Sequence, residues 1–246
     1  MKRPDRSVIF IRPLGTKESP ILHPAVIFAV SFAAGLVCVF FARTAARRWK
    51  IHNEPNPIVE THTQPVPYLG GAGVFLPFVV LVPVLFGAPW WAAVLAALAG
   101  ALTFLGTFDD LRPVRVKVKF LIEVALVVIL YPLVVHLLGL ELNALLIIAG
   151  IVGIVVLGNG FNQVDVMDGL VSGVSLFICL ALFVMYQSPS TQNLSHLAAL
   201  PLILVGLLGG FLAFNRPPAT IYLGDGGSLP LGFLSLIHIS EPTRPY

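Results

Sequence analysis

Residues 90–138 read WWAAVLAALAGALTFLGTFDDLRPVRVKVKFLIEVALVVILYPLVVHLL, and this stretch decides the fold class. It holds two long apolar runs, Trp90–Phe108 and Phe120–Leu138, separated by a short segment with acidic and basic residues. A helix that crosses the hydrocarbon core of a bilayer needs about 20 mostly apolar residues. The stretch therefore predicts two membrane-crossing helices joined by a short charged loop.

The same pattern extends over most of the chain. Hydrophobic residues make up 57% of the 246 positions and charged residues 11%, whereas soluble domains carry about 25% charged residues. Apolar runs recur to the end of the chain, which excludes a secretory signal as their explanation. We therefore predict an all-α, polytopic transmembrane helical bundle with seven complete spans and a truncated eighth. The seven runs are His23–Phe41, Tyr68–Ala88, Trp90–Phe108, Phe120–Leu138, Leu142–Leu157, Leu170–Tyr186 and Leu197–Phe214.

The segments between these runs alternate in charge. One set carries many Lys and Arg residues, whereas the set around Gly87–Pro89, Gly139–Asn143 and Gln187–His196 carries none. The positive-inside rule places the basic set in the cytoplasm. The N-terminal tail is also basic, yet this topology puts it outside, and we favour the three agreeing loops. The basic set is Arg43, Arg47, Arg48, Lys50, Arg112, Arg115, Lys117, Lys119 and Arg216.

Other features narrow the class of protein. Cys38 and Cys179 lie inside apolar runs and indicate no disulfide framework. The formal charge of +3 fits loops beside anionic lipid. The sequence has no aromatic and basic signature of nucleic-acid binding, so we expect no nucleic-acid partner.

Five aspartates fall on the predicted cytoplasmic side. An ionisable residue near membrane depth is a functional hypothesis by default, because its charge is costly in lipid. Mg²⁺ typically uses one or two carboxylates together with substrate phosphates and waters. Carboxylates beside the basic residues Arg115, Lys117 and Lys119 therefore indicate a site for magnesium and a diphosphate. The alternative is that acids and bases alike are solvated loop residues. The aspartates are Asp109, Asp110, Asp165, Asp168 and Asp225.

Polar residues recur at three-residue spacing in GNGFNQVDVMDGLVSG (158–173), at Asn159, Asn162, Asp165 and Asp168. Residues i and i+3 of a helix lie on one face, so the spacing predicts a polar stripe. Such a stripe is costly in lipid unless it faces a cavity or a ligand. The alternative is a capping and turn cluster around the glycines.

The string GDGGS (224–228) precedes a further apolar run. Glycines let backbone N–H groups approach an anion closely, and the N-terminus of a following helix favours phosphate. The string therefore predicts a phosphate site. It is also an ordinary N-capping turn, in which Ser228 would be only a cap. His62 lies between the first two runs, where a lone histidine is usually solvated.

Four segments, in this order, resemble one family, the polyprenyl-phosphate N-acetylhexosamine-1-phosphate transferases. Each motif alone is modest, and the specificity comes from all four occurring in order on the predicted cytoplasmic side. The match covers the chain from about residue 50 to residue 233. The segments are PNPIVETHTQPVPYLGG (55–71), GTFDDLRPVRVKVKFLIE (106–123), NGFNQVDVMDGLVSG (159–173) and NRPPATIYLGDGGSLPLGF (215–233).

The resemblance implies an enzyme of the bacterial inner (cytoplasmic) membrane with its active site on the cytoplasmic face. It would move HexNAc-1-phosphate from a UDP-amino sugar to a polyprenyl phosphate such as undecaprenyl phosphate and release UMP. That reaction starts cell-wall or surface polysaccharide synthesis. The implied cofactor is Mg²⁺, with Mn²⁺ as an alternative. The implied partners are the UDP-sugar, the polyprenyl phosphate lipid and the bilayer, with a homodimer as one open alternative.

The resemblance also implies roles for motif positions. Asp109 matches an aspartate that handles the lipid phosphate's proton or orients that phosphate, while Asp168 matches a contact to uracil and Tyr222 an aromatic that stacks on it. The implied catalytic residues are Asp109, Asp110, Asp165 and Asp168. The implied metal ligands are Asn162 and Asp225. The implied substrate-binding residues are His62, Lys117, Lys119, Asn159, Asn215 and Tyr222.

The sequence departs from the family pattern at several positions. Val166 stands where the family has glycine after the first loop aspartate, and Asn53 stands where aspartate is common. Glu60 and Thr61 replace basic residues that precede the loop histidine. The segment PVPYLGG looks closer to the branch that uses UDP-GlcNAc than to the phospho-MurNAc-pentapeptide branch. We therefore expect GlcNAc-1-phosphate as the transferred group.

The expected organisation has three parts. Residues 1–22 form an N-terminal tail and residues 23–233 a transmembrane catalytic domain, incomplete at its C-terminus. The eighth apolar run, Leu229–Ile237, has about nine residues, too few to cross a core of ~30 Å. The string LSLIHISEPTR (234–244) resembles a translated sequencing-library adapter, so residues 234–246 are expected to be non-native.

Two other functions remain open alternatives. A transporter also carries intramembrane acids and broken helices. Here the acids cluster in loops on one face and the sequence shows no inverted repeat. The chain could also be an inactive truncated fragment of the transferase.

Overall fold

The computed structural model describes residues 22–53, 65–137, 143–188 and 197–239, with side chains to residue 234. These residues form eight α-helices, and each of the seven predicted apolar runs overlaps one of them. The all-α prediction is confirmed in its main part. The helices are α1 (Pro24–Arg48), α2 (Gly70–Leu85), α3 (Trp90–Leu111), α4 (Val116–Leu137), α5 (Ala144–Val164), α6 (Leu170–Tyr186), α7 (Ala199–Asn215) and α8 (Asp225–Ile239).

Four of these helices, α1, α3, α4 and α5, are long and apolar enough to cross a membrane. Helices α2, α6 and α7 are apolar but have only 16 or 17 residues. The chain is therefore an integral membrane protein, while the count of seven complete spans stays a prediction. The loop around Gly139–Asn143 lies largely outside the described residues, as do His62, most of the N-terminal tail and residues 240–246.

Helices α7 and α8 lie at the centre of the bundle. α7 packs against α1, α2 and α6, and α8 packs against α2, α3, α5 and α6. α1 and α7 approach closely at Gly35 and Gly206, which have no side chain. A methyl group at either position would collide with the opposite helix. Small residues of this kind let membrane helices pack backbone to backbone. The two central helices are consequently shielded by the outer ones.

The outer helices present large apolar side chains to the surroundings. Phe104 on α3, Ile129 on α4, Leu145 on α5 and Phe177 on α6 are each between 67% and 73% exposed. A continuous apolar surface of this kind would associate in water. It suits contact with lipid tails, which agrees with the membrane assignment.

A small sheet qualifies the all-α prediction. Strand β1 (His52–Asn53) follows α1 and pairs antiparallel with β2 (Val66–Pro67), which precedes α2. The chain then forms a parallel bridge between Tyr68 and Tyr222. The sheet was not predicted because two-residue strands leave no periodic pattern in the sequence. It ties the start of α2 to the segment that leads into α8.

Several helices extend beyond the predicted apolar runs, and each extension adds polar residues. α1 continues to Arg48, α3 to Leu111 and α5 to Val164, while α4 begins at Val116. The hydropathy pattern marks only the lipid-embedded part of a helix, because a helix can continue beyond the hydrocarbon core. The predicted loop residues Asp109, Asp110, Lys117 and Lys119 therefore lie on terminal helical turns.

Candidate active site at one end of the bundle

The polar residues meet at one end of the bundle. Helices α3, α5 and α7 end there, and α4, α6 and α8 begin there. The end of α3 contacts the starts of α4 and α8 through Asp109, Lys119 and Asp225. The end of α7 contacts the start of α6, where Gly169 N–H donates to Asn215. Residues from separate segments therefore share one polar region.

Lys119 links two carboxylates at the centre of this region. Its Nζ donates to Asp109 Oδ2 at 2.8 Å and also to Asp225 Oδ2. Asp109 Oδ1 accepts a second hydrogen bond from Val114 N–H at 2.6 Å. The three charged side chains are only 14–16% exposed, so water screens their attraction weakly. The ammonium group thus holds the ends of α3 and α8 together.

The placement of these charges opposes the helix dipoles. Asp109 lies at the C-terminal end of α3, where a negative charge is unfavourable, and Lys119 lies in the first turns of α4, where a positive charge is unfavourable. Their ion pair offsets part of this cost. Residues that break a local rule in this way are expected at functional sites.

Asp110 caps the N-terminus of α8 from another helix. Its Oδ1 accepts Asp225 N–H at 3.1 Å and its Oδ2 accepts Gly226 N–H at 3.3 Å. The next two amides, of Gly227 and Ser228, donate to Gly224 O at 3.0 Å. The first-turn donors that the GDGGS string offers are therefore occupied by the protein itself. The predicted phosphate position here is already filled by the Asp110 carboxylate.

Ser228 is not the N-cap that the sequence allowed. α8 begins at Asp225, so Ser228 lies inside its first turn, and its buried hydroxyl makes no hydrogen bond with any described residue. The left-handed conformation comes one residue earlier, at Gly224 with φ +72°. Glycine adopts this conformation without the steric cost of a side chain. The turn at Gly224 aims the first amides of α8 toward Asp110.

Asp165 approaches the same turn from α5. It is the C-cap of that helix and accepts a hydrogen bond from Gly224 N–H. Burial, and to a lesser extent the Asp225 charge, raise the pKa of its carboxyl to about 7 against the lowering effect of the Gly224 N–H. Four of the five predicted aspartates therefore surround the start of α8: Asp109, Asp110, Asp165 and Asp225.

The predicted polar stripe is interrupted where α5 ends. Asn159 and Asn162 lie in the last helical turns, whereas Asp165 caps the helix and Asp168 lies in the following turn. Asp168 Oδ2 accepts the Ala219 N–H at 2.8 Å and so braces the segment between α7 and α8. Helical three-residue spacing thus holds only for the first two members, because the chain leaves helical geometry after Val164.

Asn215 is buried at the end of α7 and holds three segments together. Its Oδ1 accepts Gly169 N–H at 3.1 Å and the Ser172 hydroxyl at 2.9 Å, and its Nδ2 donates to Ile221 O at 3.0 Å. These bonds use the carboxamide within the protein. A direct substrate contact at Asn215 remains a prediction, and its bracing role is the one that the hydrogen bonds show.

Two tyrosines lie next to the aspartates. The Tyr222 and Tyr68 rings meet edge to face with centroids 6.5 Å apart. Burial, followed by the charges of Asp110 and Asp225, raises the pKa of the Tyr68 phenol. Tyr68 was not predicted as a site residue, since a tyrosine beside a span is usually part of an interfacial belt.

A cleft of about 310 Å³ opens beside the ion pairs, within the range of small-molecule sites. We call its carboxylate, carboxamide and ammonium residues the polar wall, and its valines and Phe120 the apolar wall. Val116 is 82% exposed at the rim and Phe120 is 46% exposed. The lining residues are Asp109, Val114, Val116, Lys117, Lys119, Phe120, Asn159, Asn162 and Gln163.

Glu123 is a second residue that the sequence reasoning missed. It lies one turn after Lys119 in α4 and is only 2% exposed. Its carboxylate oxygens accept the Asn159 Nδ2 at 3.1 and 2.9 Å. The signal was present, because an acid inside an apolar run is rare and costly. It was overlooked because it stands apart from the loop aspartates.

The oxygen donors of this region fit a divalent cation whose coordination shell is completed by substrate oxygens. Asp225 and Asn162 offer only oxygen ligands, which Mg²⁺ prefers, and Mg²⁺ needs few protein ligands when phosphate oxygens and waters supply the rest. The Lys119 ammonium already lies between two carboxylates, so the site accommodates positive charge. Within the described segments, no three His, Cys, Asp or Glu side chains form a metal-binding group.

Comparison with known sequences identifies the family. The profile of glycosyl transferase family 4 matches residues 90–240. The chain belongs to this family. The match includes three of the four motif segments and every predicted site residue except His62. The resemblance that the sequence showed is thus confirmed at the level of the family.

Individual relatives are named as sugar-phosphate transferases. A phospho-N-acetylmuramoyl-pentapeptide-transferase of Listeria monocytogenes is 34% identical over 165 residues, which cover 59% of this chain and 49% of the relative. The "probable undecaprenyl-phosphate N-acetylglucosaminyl 1-phosphate transferase" of Bacillus subtilis is 28% identical over 227 residues, which cover 88% of this chain and 62% of the relative.

The chain thus spans about half the length of several curated relatives that it matches. Those relatives fall in both branches that the sequence analysis distinguished. Identity is higher to the phospho-N-acetylmuramoyl-pentapeptide-transferase, whereas the N-acetylglucosaminyl 1-phosphate transferase aligns with more of this chain. The expected preference for the GlcNAc branch therefore stays a prediction.

Proposed function

We propose that this protein transfers HexNAc-1-phosphate, with GlcNAc as the expected sugar, from a UDP-sugar to a polyprenyl phosphate and releases UMP. Membership of glycosyl transferase family 4 and the names of the relatives support this class of reaction. The observation that carries the proposal is the Asp109–Lys119–Asp225 arrangement beside a cleft with one polar and one apolar wall.

The two walls of the cleft match the two halves of a polyprenyl phosphate. Val116 and Phe120 give an apolar rim on α4, along which an isoprenoid chain can lie in contact with lipid. Lys119 and Lys117 give positive charge for the phosphate and for the diphosphate of the second substrate. A lipid substrate can therefore enter sideways from the bilayer without leaving an apolar environment.

In the proposed reaction an oxygen of the lipid phosphate attacks the β-phosphorus of the UDP-sugar. A new P–O bond forms to the lipid phosphate, the bond from the β-phosphorus to the bridging oxygen breaks, and UMP leaves with that oxygen. Phosphoryl transfer of this kind depends on positioning and on stabilisation of developing charge. Mg²⁺ or Mn²⁺ held by Asn162 and Asp225 would supply positive charge to the diphosphate.

The hydrogen bonds favour orienting roles for the paired aspartates. Both oxygens of Asp109 already accept hydrogen bonds, from Val114 N–H and from Lys119. Asp109 therefore holds the Lys119 ammonium at the cleft, more readily than it takes a proton from the lipid phosphate. Asp110 holds the start of α8 and with it the backbone of Asp225.

The side of the membrane follows from the basic residues. Arg43 on α1 donates to the Thr220 hydroxyl at 3.3 Å and lies 5.6 Å from the centre of the Phe214 ring, so the basic end of α1 lies at the site end. Basic residues mark the cytoplasmic side of membrane proteins. We therefore place the site on the cytoplasmic face of a bacterial inner membrane.

Replacement of Asp225 tests the proposal. We expect Asp225→Ala to abolish UMP release from radiolabelled UDP-GlcNAc in nanodiscs that contain undecaprenyl phosphate, because it removes a metal ligand and a Lys119 partner. A panel of UDP-sugars in the same assay identifies the donor. The matched control is Asn143→Ala, which removes an exposed N-cap at the far end of α5. Undiminished turnover in Asp225→Ala, or no turnover of any UDP-sugar by the wild-type protein, would overturn the proposal.

A further inference from the structure

A buried acid lies behind the polar wall of the cleft. Glu123 is 2% exposed in α4, among side chains that are otherwise apolar. A buried carboxylate is costly unless it is hydrogen-bonded or paired with a positive charge. Within the described part of the chain, its hydrogen bonds come from a single side chain, Asn159 of α5. The proposed reaction assigns no role to Glu123.

The contacts fix which way the Asn159 carboxamide points. Its Nδ2 lies 3.1 and 2.9 Å from the two Glu123 oxygens and 2.9 Å from Val155 O. All three neighbours are acceptors, so only the NH₂ group can occupy this position. A flipped carboxamide would place its oxygen against three other oxygens. The amide nitrogen is therefore committed to the interior between α4 and α5.

The carboxamide oxygen is then the atom that Asn159 offers to the cleft. Asn159 lines this cleft together with Asn162, Asp109 and Lys119. Asn162 lies one helical turn further along α5, and residues at i and i+3 share a face. Two carboxamide groups thus stand in a row on the polar wall.

We propose that Glu123 is a positioning residue, which holds the Asn159 carboxamide so that its oxygen serves as an additional donor to a divalent cation at Asn162 and Asp225. The oxygen contacts the ion directly or through one of its waters. The inference rests on the cation of the proposed function. Partners that orient a metal ligand from behind typically contribute about 10- to 100-fold in metal affinity.

A purely structural role for the pair makes a different prediction. A hydrogen bond between α4 and α5 could stabilise their packing without any effect on ion binding. Loss of Glu123 would then lower thermal stability and leave the affinity for the ion unchanged. Ion affinity and thermal stability must therefore be measured on the same variants.

The experiment is a Mn²⁺ titration of the 246-residue chain in nanodiscs, followed by electron paramagnetic resonance. We expect Glu123→Ala and Asn159→Ala each to weaken Mn²⁺ binding about tenfold or more. The double variant should bind no more weakly than Asn159→Ala alone, because Glu123 acts through Asn159. Unchanged affinity in Glu123→Ala, or additive losses in the double variant, would overturn the inference.

Two further variants test whether a loss of Mn²⁺ affinity could arise from misfolding. Glu123→Gln keeps an acceptor for the Asn159 NH₂ group, so we expect Mn²⁺ affinity within about twofold of wild type. A loss as large as that of Asn159→Ala would contradict an orienting role. Ser175→Ala removes a buried hydroxyl on α6 that has no hydrogen-bond partner among the described residues, and it should leave Mn²⁺ affinity unchanged. This control separates the loss of any buried polar group from the loss of this one.

The outcomes distinguish the inference from the proposed function. Tight Mn²⁺ binding that Glu123→Ala does not weaken would remove the inference and leave the transferase proposal standing. The expected Mn²⁺ pattern without UMP release from any UDP-sugar would remove the transferase proposal and leave the role of Glu123. No Mn²⁺ binding by the wild-type protein would remove the inference and the metal role of Asn162 and Asp225 together.

Discussion

At the scale of residues, Lys119 determines how the site is assembled. It contacts carboxylates from two helices that are far apart in the chain, and its own helix contributes the apolar wall of the cleft. Lys117 is exposed at the rim and lies outside this ion pair. The sequence predicted both lysines as substrate contacts and gave no reason to rank them. Burial and contacts with both aspartates now separate their roles.

We expect Lys119→Met to reduce transfer about 100-fold or more, because it removes preorganised charge from the reacting phosphates. It also leaves Asp109 and Asp225 facing each other without a cation, so thermal stability in nanodiscs should fall. Lys117→Met should reduce turnover less than tenfold. The measurements are UMP release and a thermal melt of both variants. Equal losses of turnover in the two variants would show that Lys119 contributes no more to transfer than Lys117.

Asp165 predicts how stability changes with pH. The pKa of its carboxyl is raised to about 7 in the folded protein, above the ordinary value of 3.8. Between these values the folded state binds the proton and the unfolded state does not, so stability falls as pH rises and levels off above about 7. We expect Asp165→Asn to reduce this fall, because the amide carries no titrating proton while its oxygen still accepts the Gly224 N–H.

Thermal melts at pH 5 and pH 8 test this prediction. The melting temperature of each protein is compared between the two pH values. The drop in the wild type should exceed the drop in Asp165→Asn by about 2 °C or more. Asn143→Ala, at the opposite end of α5, should keep the wild-type difference. Identical pH profiles for wild type and Asp165→Asn would mean that Asp165 does not titrate near neutrality.

At the scale of elements, the helices were predictable and their ends were not. Apolar runs locate all seven predicted helices, because membrane insertion requires such runs. The ends depend on contacts that hydropathy does not encode. Asp110 caps α8 from another helix, so the GDGGS string alone could not show that its amides are occupied. Glu123 was overlooked because its partner, Asn159, lies on the next helix.

The start of α8 is held in place by close backbone contacts. A methyl group on Gly106 of α3 would collide with the backbone of Asp225 and Gly226, whereas one on Gly173 of α6 would meet nothing within 4 Å. We expect Gly106→Ala to cost about 1–3 kcal/mol of stability and to displace Asp225 from Lys119. Gly173→Ala should be neutral. Thermal melts and UMP release check both, and wild-type behaviour of Gly106→Ala would contradict this packing.

At the scale of the whole molecule, the two ends of the bundle differ in the types of residue that they carry. The site end carries the charged residues, and the far end carries exposed aromatic and amide groups such as Trp90 and Asn143. The sequence predicted this polarity from loop charges alone. The prediction that the charged end is cytoplasmic rests on the positive-inside rule, which acts on loops and needs no knowledge of packing.

Cysteine labelling tests which end faces the cytoplasm. In a background in which Cys38 and Cys179 are replaced by alanine, we expect a membrane-impermeant maleimide to label Arg112→Cys only in inside-out vesicles. It should label Trp90→Cys only in right-side-out vesicles, since Trp90 lies at the opposite end of α3 and is 82% exposed. Reversed labelling would place the site outside the cell and remove access to cytoplasmic nucleotide sugars.

The enclosure of α7 has a consequence for bilayers of different thickness. Most residues of this 17-residue helix contact protein, so lipid tails do not set its length. Hydrophobic mismatch therefore acts on the outer helices, which can tilt at a cost of fractions of a kcal/mol per ångström. Reconstitution in lipids of graded acyl-chain length should change the tilt of α4, which packs on α3 and α5, and leave the close packing of α1 on α7 constant.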